Sequence, residues 1–211
     1  MSQAPVIIER GLPQELRPVA VKVFDEAFGA KLSLAIPAQE KRLAVISDGL
    51  VGGNIIIATV GDELVGVAAL ATRGGRYDGG GLSYEWVSWS MLRRHLGTFG
   101  ALRAAFVMLF YDHKPKDDEL YLEDIAVAAE ARGLGIGTKL LAEVETIARE
   151  EGKARVELEV IDTNPRAQEL YARQGYVVVK TDRFGFLRRI LGFGGVYTMD
   201  LFLDGAADER A

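Results

Sequence analysis

The chain has 211 residues, of which 49% are apolar and 26% charged, a composition typical of globular proteins and unlike that of disordered or collagen-like chains. It contains no cysteine and two histidines, which excludes disulfides and a cysteine nucleophile and argues against a multi-histidine metal site. The formal net charge of −5 is opposite in sign to that of most nucleic-acid-binding domains.

No uncharged apolar run approaches the ~18 residues of a membrane span, and the N-terminus lacks the basic and apolar regions of a signal peptide. We therefore expect a cytoplasmic protein with no nucleic-acid partner and no bound metal, and the sequence does not favour a membrane partner. At about 150 residues per domain, the length favours a single domain over residues 1–211 that carries an insertion.

The first part of the chain predicts a strand, a helix and a hairpin. Val6 to Ile8 predicts a short strand, and apolar residues recur at helical spacing over about 16–30. Two runs rich in β-branched residues, Asn54 to Val60 and Glu63 to Thr72, are separated by Gly61-Asp62, which is typical of a β-hairpin.

A glycine-rich loop over Arg73 to Gly81 leads into an apolar section at 84–112. Two tryptophans and many large apolar residues predict one or two amphipathic helices in this section, with a break at Gly97 and Gly100. We expect this helical insert to lie between the third and fourth strands.

Strands and helices alternate after the insert. Leu120 to Val127 predicts the fourth strand, and a glycine cluster follows it. Apolar residues at helical spacing then predict a helix to about Glu151, and the alternation of Ala154 to Ile161 predicts the next strand.

The last section predicts a short helix and two strands. Asn164-Pro165 combines an N-cap residue with a proline in the first turn, and Gly175 fits a left-handed C-cap. Tyr176 to Lys180 and Val196 to Leu203 supply the final strands. The element order predicts a mixed α/β (α+β) sheet.

The glycine cluster, Val127 to Thr138, places a tight turn between a strand and a helix. The first N–H groups of a helix have no intrahelical partner, so such a turn can bind an anion such as a pyrophosphate. A P-loop is excluded because no lysine follows Gly137, and the dinucleotide fingerprint is excluded because Thr138 stands where it needs glycine. Close helix–sheet packing is the alternative role for these glycines.

Arg132-x-x-Gly135-x-Gly137 resembles the Q/R-x-x-G-x-G/A signature of the GNAT superfamily of acetyl-CoA-dependent N-acetyltransferases. Leu122 to Val127 resembles the central strand before that signature. Asn164-x-x-Ala167-x-x-Leu170-Tyr171, followed by Gly175-Tyr176, resembles the second motif of the family. The resemblance covers residues 119–180 closely and 1–75 in element order only. Two features depart from the family pattern: the helical insert, and Ala129, which stands where many members of the family have proline.

This resemblance implies a mostly antiparallel sheet, flanked by helices, with a central parallel strand pair that splays apart. It implies acetyl-CoA as co-substrate, with no metal. The arm of the co-substrate would lie in the splay and its diphosphate at the glycine turn. The implied binding residues are Ile125, Ala126, Val127, Arg132, Gly133, Leu134, Gly135, Ile136, Gly137, Thr138, Asn164 and Ala167.

Acylating an amine requires removal of a proton, because an alkyl amine with a pKa near 10.4 is almost entirely protonated at neutral pH. Glu123 is the candidate base, since strand alternation places it on the face of Ile125 and Val127 unless a bulge intervenes. By resemblance, Tyr171 is the general acid for the departing thiolate. The alternatives are a solvated strand-end carboxylate for Glu123 and core packing for Tyr171, and Asp124 is expected to face away from Glu123 in a structural role.

We therefore expect an N-acetyltransferase that acts by direct attack of a small-molecule or peptide amine on acetyl-CoA. The alternative is a non-catalytic acyl-CoA-binding or regulatory module on the same fold. The insert has three alternative roles: packing on the sheet or at a homodimer contact, a lid over the acceptor site, or membrane-surface binding through Arg93, Arg94 and Arg103. The loop over 183–193 is expected to border the acceptor.

Overall fold

A computed structural model describes residues 4–50, 52–73, 88–108, 115–185 and 192–203. Seven strands and five α-helices are formed within these ranges. In chain order they are β1 (Val6–Arg10), α1 (Arg17–Leu32), α2 (Gln39–Gly49), β2 (Ile55–Val60), β3 (Glu63–Thr72), α3 (Trp89–Met108), β4 (Glu119–Val127), α4 (Ile136–Glu150), β5 (Arg155–Ile161), α5 (Pro165–Arg173), β6 (Val177–Arg183) and β7 (Gly195–Phe202).

The seven strands form one sheet in the order β1-β2-β3-β4-β5-β7-β6. All neighbours are antiparallel except β4 and β5, which pair in parallel at its centre. Helices α1 and α4 both pack on β3 and β4 without an interface between them, so they cover opposite faces. The predicted fold class, a mostly antiparallel mixed sheet with a central parallel pair and flanking helices, is confirmed.

Helix α4 approaches the sheet closely at Gly66 on β3. A Cβ atom at this position would lie 2.9 Å from Cγ2 of Ile136 and 3.2 Å from Cδ1 of Leu140. Such distances are too short for a carbon–carbon contact, so glycine is required here for the helix to sit at this depth. The start of α4 is thereby fixed against the sheet.

Helix α2 is the one described helix that the sequence interpretation missed. Its buried apolar side chains are few, Val45 and Ile46, and a buried ion pair between Arg42 and Asp25 also joins it to α1. Burial acts to raise the pKa of Asp25, but hydrogen bonds from Arg42 and Gln39 outweigh it and hold that pKa below its usual value. Arg42 also donates to the carbonyl of Ile36, so one guanidinium ties both helices and their connection together.

The predicted insert contains helix α3 between β3 and β4, as expected. The helix is kinked at Gly97, where φ is 71°, whereas Gly100 lies inside the helical part beyond the kink. Both parts bury their inner faces in what we call the insert cluster, which is distinct from the main core. Its members are Ala35, Ile36, Val45, Met91, Leu92, Ala101, Ala104 and Met108.

Parts of three sequence predictions lie outside the described residues: most of the loop over 73–81, the insert residues 84–87 and 109–112, and residues 186–191 of the loop over 183–193. Within the described ranges, no helix combines the length and apolar character that a membrane crossing requires.

A buried ionic network joins the first residues of β4 and β5. Arg155 lies 2.6 Å from Asp118 and 2.6 Å from Glu119, and its Nε lies 3.3 Å from Oδ2 of Asp200. Glu157 on β5 pairs with Asp200 on β7, which brings a further carboxylate to this group. The network therefore holds more carboxylates than cations. Burial raises the pKa of Asp200 despite the opposing effect of Arg155.

This raised pKa gives stability a defined pH dependence. A carboxyl group with a raised folded-state pKa contributes stability below its unfolded pKa of about 3.9, and that contribution is lost as pH rises through the folded value. Asp200→Asn keeps the group neutral at every pH. We expect the unfolding free energy of D200N relative to wild type to increase from about pH 4 to about pH 7, measured by urea denaturation.

Asp62→Asn, an exposed substitution in the turn between β2 and β3, is the matched control and should give no such pH-dependent difference. A relative stability of D200N that falls with rising pH would mean that the ion pair with Arg155 dominates instead.

Candidate active site

The central parallel pair of strands separates after a short stretch. Glu119 to Leu122 on β4 pair with Arg155 to Leu158 on β5, and the pairing ends there. Beyond this point both strands continue, β4 to Val127 and β5 to Ile161, without pairing with each other. A gap therefore opens between them in the middle of the sheet.

A β-bulge at Glu123 lies directly beyond the last parallel pair. Leu122 pairs with Leu70 and Asp124 with Ala69, so Glu123 is the extra residue in β4. A bulge reverses the alternation of side chains along the strand. Regular alternation is therefore interrupted at Glu123, and a shared face for Glu123, Ile125 and Val127 stays a prediction.

The hydrogen bonds between β3 and β4 determine which backbone groups of β4 point into the gap. The N–H of Ala128 donates to the carbonyl of Val65, so Val127 and Gly66 form a non-hydrogen-bonded pair. The N–H and C=O groups of Val127, and by the same alternation those of Ile125, then point away from β3 towards β5. Those of Ala126 are directed to β3. The Val127 carbonyl accepts a hydrogen bond of 3.2 Å from Nε of Arg132.

The glycine turn leads from β4 to α4 through two left-handed residues. The φ angles are 84° at Gly133 and 75° at Gly135, the N-cap of α4. Lys139 donates to the carbonyl of Gly135 in the first bond of the helix. The N–H groups of Ile136, Gly137 and Thr138 precede that bond, so they project from the positive end of the helix dipole.

Helix α5 packs against the start of α4. A Cβ at Gly137 would lie 3.1 Å from Cδ2 of Leu170, which explains a glycine at this position. As predicted, Asn164 caps α5, and its Oδ1 accepts from the N–H of Ala167 at 3.3 Å.

The C-terminal end of α5 fixes the ring of Tyr171. Gly175, with a φ of 91°, ends the helix in a Schellman motif: the N–H of Tyr176 donates to the carbonyl of Tyr171, and that of Gly175 to Ala172. The rings of Tyr171 and Tyr176 have centroids 5.8 Å apart. Burial, and secondly the charge of Asp124, raise the pKa of Tyr171 far above its ordinary value, so its phenol stays protonated.

A cavity of about 610 Å³ connects the gap, the glycine turn and the start of α5. It is lined by Glu123, Tyr171 and every predicted binding residue except Leu134, whose side chain is 42% exposed. Ile136 contributes through its backbone, because its side chain is buried in the main core. A volume of this size is typical of a small-molecule site.

Charged residues of both signs line this cavity. Arg132, Arg166 and Arg173 come from the glycine turn and α5, and Glu123, Asp124 and Glu159 come from β4 and β5. Asp124 therefore borders the same cavity as Glu123, contrary to the expectation that it faces away.

Sequence reasoning missed several lining residues. Ala27 and Phe28 come from α1, and nothing in their local sequence indicates a site. Glu159 was visible as a polar position of an alternating strand, but its place beyond the end of the parallel pairing was not. The loop expected to border the acceptor falls partly on 186–191, outside the described residues. At its ends the rings of Phe184 and Phe193 pack edge to face.

Comparison with known proteins agrees with this geometry. The family model described as "Acetyltransferase (GNAT) family" matches residues 30–176. A bovine (Bos taurus) thialysine N-epsilon-acetyltransferase is 43% identical over 60 residues, which are 28% of this chain and 35% of the bovine protein. The chain thus matches about a third of the length of that relative. A probable N-acetyltransferase camello from Xenopus tropicalis is 45% identical over 60 residues, 28% of this chain and 27% of that protein.

Among solved structures, an N-acetyltransferase from Staphylococcus aureus Mu50 superposes with a TM-score of 0.64 at 17% identity, covering 92% of this chain and 100% of its own. At this identity the likeness is one of fold. The family match covers most of the chain and includes the glycine turn, the splayed strands and Tyr171. The chain therefore belongs to the acetyltransferase (GNAT) family.

Proposed function

We propose that this protein is an N-acetyltransferase that transfers an acetyl group from acetyl-CoA to an amine, and that residues 1–211 form one such domain. The observation that carries the proposal is the gap between β4 and β5, which leads directly to the left-handed glycine turn and to Tyr171. The named relatives are acetyltransferases, which favours an enzyme over a non-catalytic binding module. Release of the CoA thiol in the presence of a panel of amines tests it.

The residues present fit acetyl-CoA as a substrate. The edge groups of Ile125 and Val127 offer hydrogen bonds to an amide-bearing arm in the gap, as a neighbouring strand would. The projecting amides at the start of α4 suit a diphosphate, and Arg132 adds positive charge beside them. Gly133 and Gly135 leave open space at this turn, since a Cβ at either would meet no atom within 4 Å.

The proposed reaction is direct attack of the amine nitrogen on the thioester carbonyl. Glu123, half-buried with Oε2 inside the protein, accepts the proton that the amine must lose. A C–N bond forms and the C–S bond breaks. Tyr171, whose buried phenol remains protonated, donates a proton to the departing thiolate.

The charge distribution of the cavity favours an acceptor that carries a second positive charge. The arginines of the glycine turn and α5 suit the polyanionic co-substrate, whereas Glu123, Asp124 and Glu159 line the cavity from β4 and β5. Glu123 takes up the proton, so Asp124 and Glu159 are left to attract a cation. The bovine relative is named for transfer to the epsilon nitrogen of thialysine, which supports an amino-acid-like or diamine acceptor.

Gly135→Ala tests the placement of the diphosphate. Alanine in the left-handed region costs about 1–2 kcal/mol, and its methyl group would enter the anion site. We expect the Kd for CoA, measured by calorimetry, to rise about tenfold, or roughly 1.4 kcal/mol.

Gly152→Ala is the matched control, because Gly152 follows the other end of α4 with a φ of 65° and equally open space. It should lose similar stability and keep the Kd for CoA. Equal affinities in G135A and wild type would contradict the assignment.

Tyr171→Phe removes the proposed proton donor but keeps the packing of the ring. We expect kcat to fall about 100-fold, within the range of general acid catalysis, while the Kd for CoA changes less than about twofold. Steady-state kinetics with thiol detection provides the measurement.

Tyr176→Phe is the matched control, since this buried hydroxyl has no hydrogen-bond partner in the described part of the chain and does not line the cavity. It should leave kcat nearly unchanged. An unchanged kcat in Y171F would remove Tyr171 from the mechanism.

Glu159→Gln tests the preference for a cationic acceptor. Glu159 is exposed, so its attraction for a second positive charge is worth up to about 1 kcal/mol. We expect the KM for a diamine to rise about two- to fivefold and the KM for a matched monoamine to stay constant.

Glu169→Gln, an exposed change of the same charge on α5 outside the cavity lining, should alter neither KM. Equal shifts for the diamine and the monoamine in E159Q would contradict a role for Glu159 in acceptor charge selection.

A further inference from the structure

Helix α3 presents an apolar surface to solvent. Phe99, Leu102 and Phe106 are spaced i, i+3, i+7 and are 90%, 55% and 63% exposed. This spacing aligns them in one stripe, opposite the buried Ala101, Ala104 and Met108. Three large apolar side chains in one continuous stripe exceed the scattered exposure that is ordinary on a protein surface. The stripe is therefore a candidate docking surface.

Both parts of the kinked helix contribute to one outward face. Each part buries its inner side in the insert cluster, so the opposite sides both face away from the body of the protein. The part before the kink adds Trp89 and two exposed arginines, Arg93 and Arg94. We call this set of residues, with the apolar stripe, the outward face of α3.

The outward face is basic in a chain that is otherwise acidic. Residues 89–108 contain three arginines and no aspartate or glutamate, whereas the whole chain has a net charge of −5. Asp48 on α2 lies 3.8 Å from Arg94 and 2.7 Å from His95, which offsets part of this charge. Arg103, whose side chain is not paired with a carboxylate in the described part of the chain, donates to the carbonyl of Ala35. The surface complements an anionic partner.

We propose that the outward face of α3 binds an anionic lipid surface, with the stripe of Phe99, Leu102 and Phe106 inserted and the arginines at the headgroups. A helix with large apolar residues on one side and basic residues beside them is the arrangement of interfacial helices that lie in the membrane plane. A second copy of the chain fits less well, because a symmetric contact through α3 would bring arginines together with no acidic residue in the helix to pair with them.

The test is co-sedimentation of the full chain with vesicles of phosphatidylcholine alone or mixed with phosphatidylglycerol. We expect binding to the anionic vesicles that weakens with added salt. The double variant Phe99→Ser/Phe106→Ser should reduce partitioning on the order of a hundredfold. Arg93→Gln should reduce partitioning about fivefold, which is the effect expected of one basic residue near an anionic membrane surface.

Two matched controls change the same properties elsewhere. Ile7→Ser removes a 48% exposed apolar side chain from β1, and Lys22→Gln removes one exposed positive charge from α1. Neither should alter partitioning. If Lys22→Gln weakens binding as much as Arg93→Gln, the effect is one of net charge and the proposal fails.

Three further outcomes would overturn the proposal. The first is absence of binding to anionic vesicles. The second is a wild-type dimer that the double serine variant converts to a monomer in light scattering, without vesicle binding, because the face would then join two copies. The third is a large fall in Tm for the double variant, since the stripe would then be covered by the chain itself.

Discussion

The separation of β4 and β5 is the constraint on which the rest of the site depends. Backbone N–H and C=O groups in the middle of a sheet require partners. Apart from the Val127 carbonyl, which accepts from Arg132, those of Ile125 and Val127 face a gap where a neighbouring strand would normally supply them. An extended substrate arm can take the place of that strand. The end of the gap coincides with the start of α4, whose position is fixed by the close approach at Gly66. The backbone alone thus places the gap between β4 and β5, which can take an extended substrate arm, next to the start of α4, which can bind an anion.

Charged side chains that line the cavity add to this backbone arrangement. The bulge at Glu123 interrupts β4 where two consecutive carboxylate residues, Glu123 and Asp124, line the cavity, and Glu159 lines it from β5. Arg132 lies at the glycine turn, beside the proposed diphosphate site, and Arg166 and Arg173 line the cavity from α5. Tyr171 lies on the last turn of α5, where the Schellman motif at Gly175 holds its ring against Tyr176.

Much of this arrangement could be predicted because local sequence patterns encode it. The hairpin at Gly61-Asp62, the cap at Asn164 and the left-handed Gly175 each follow from one or two residues, and the structure places them as expected. Features that depend on the pairing of distant strands could not be read in this way. Nothing in Leu122 to Asp124 signals the bulge that interrupts regular alternation, and the place of Glu159 depends on where parallel pairing ends. Helix α2 was missed because its buried face includes Arg42 and Gly49 beside only two buried apolar residues, Val45 and Ile46, so its apolar periodicity is weak.

The insert cluster is separate from the main core, and this separation has an evolutionary consequence. Helix α3 is supported by its own set of buried residues on α2 and the segment before it, not by the strands that form the site. Mutations on its outer side can accumulate without disturbing the packing behind Tyr171 or the glycine turn. Selection is then free to change where this protein resides in the cell, or what it meets there, while the chemical machinery stays constant.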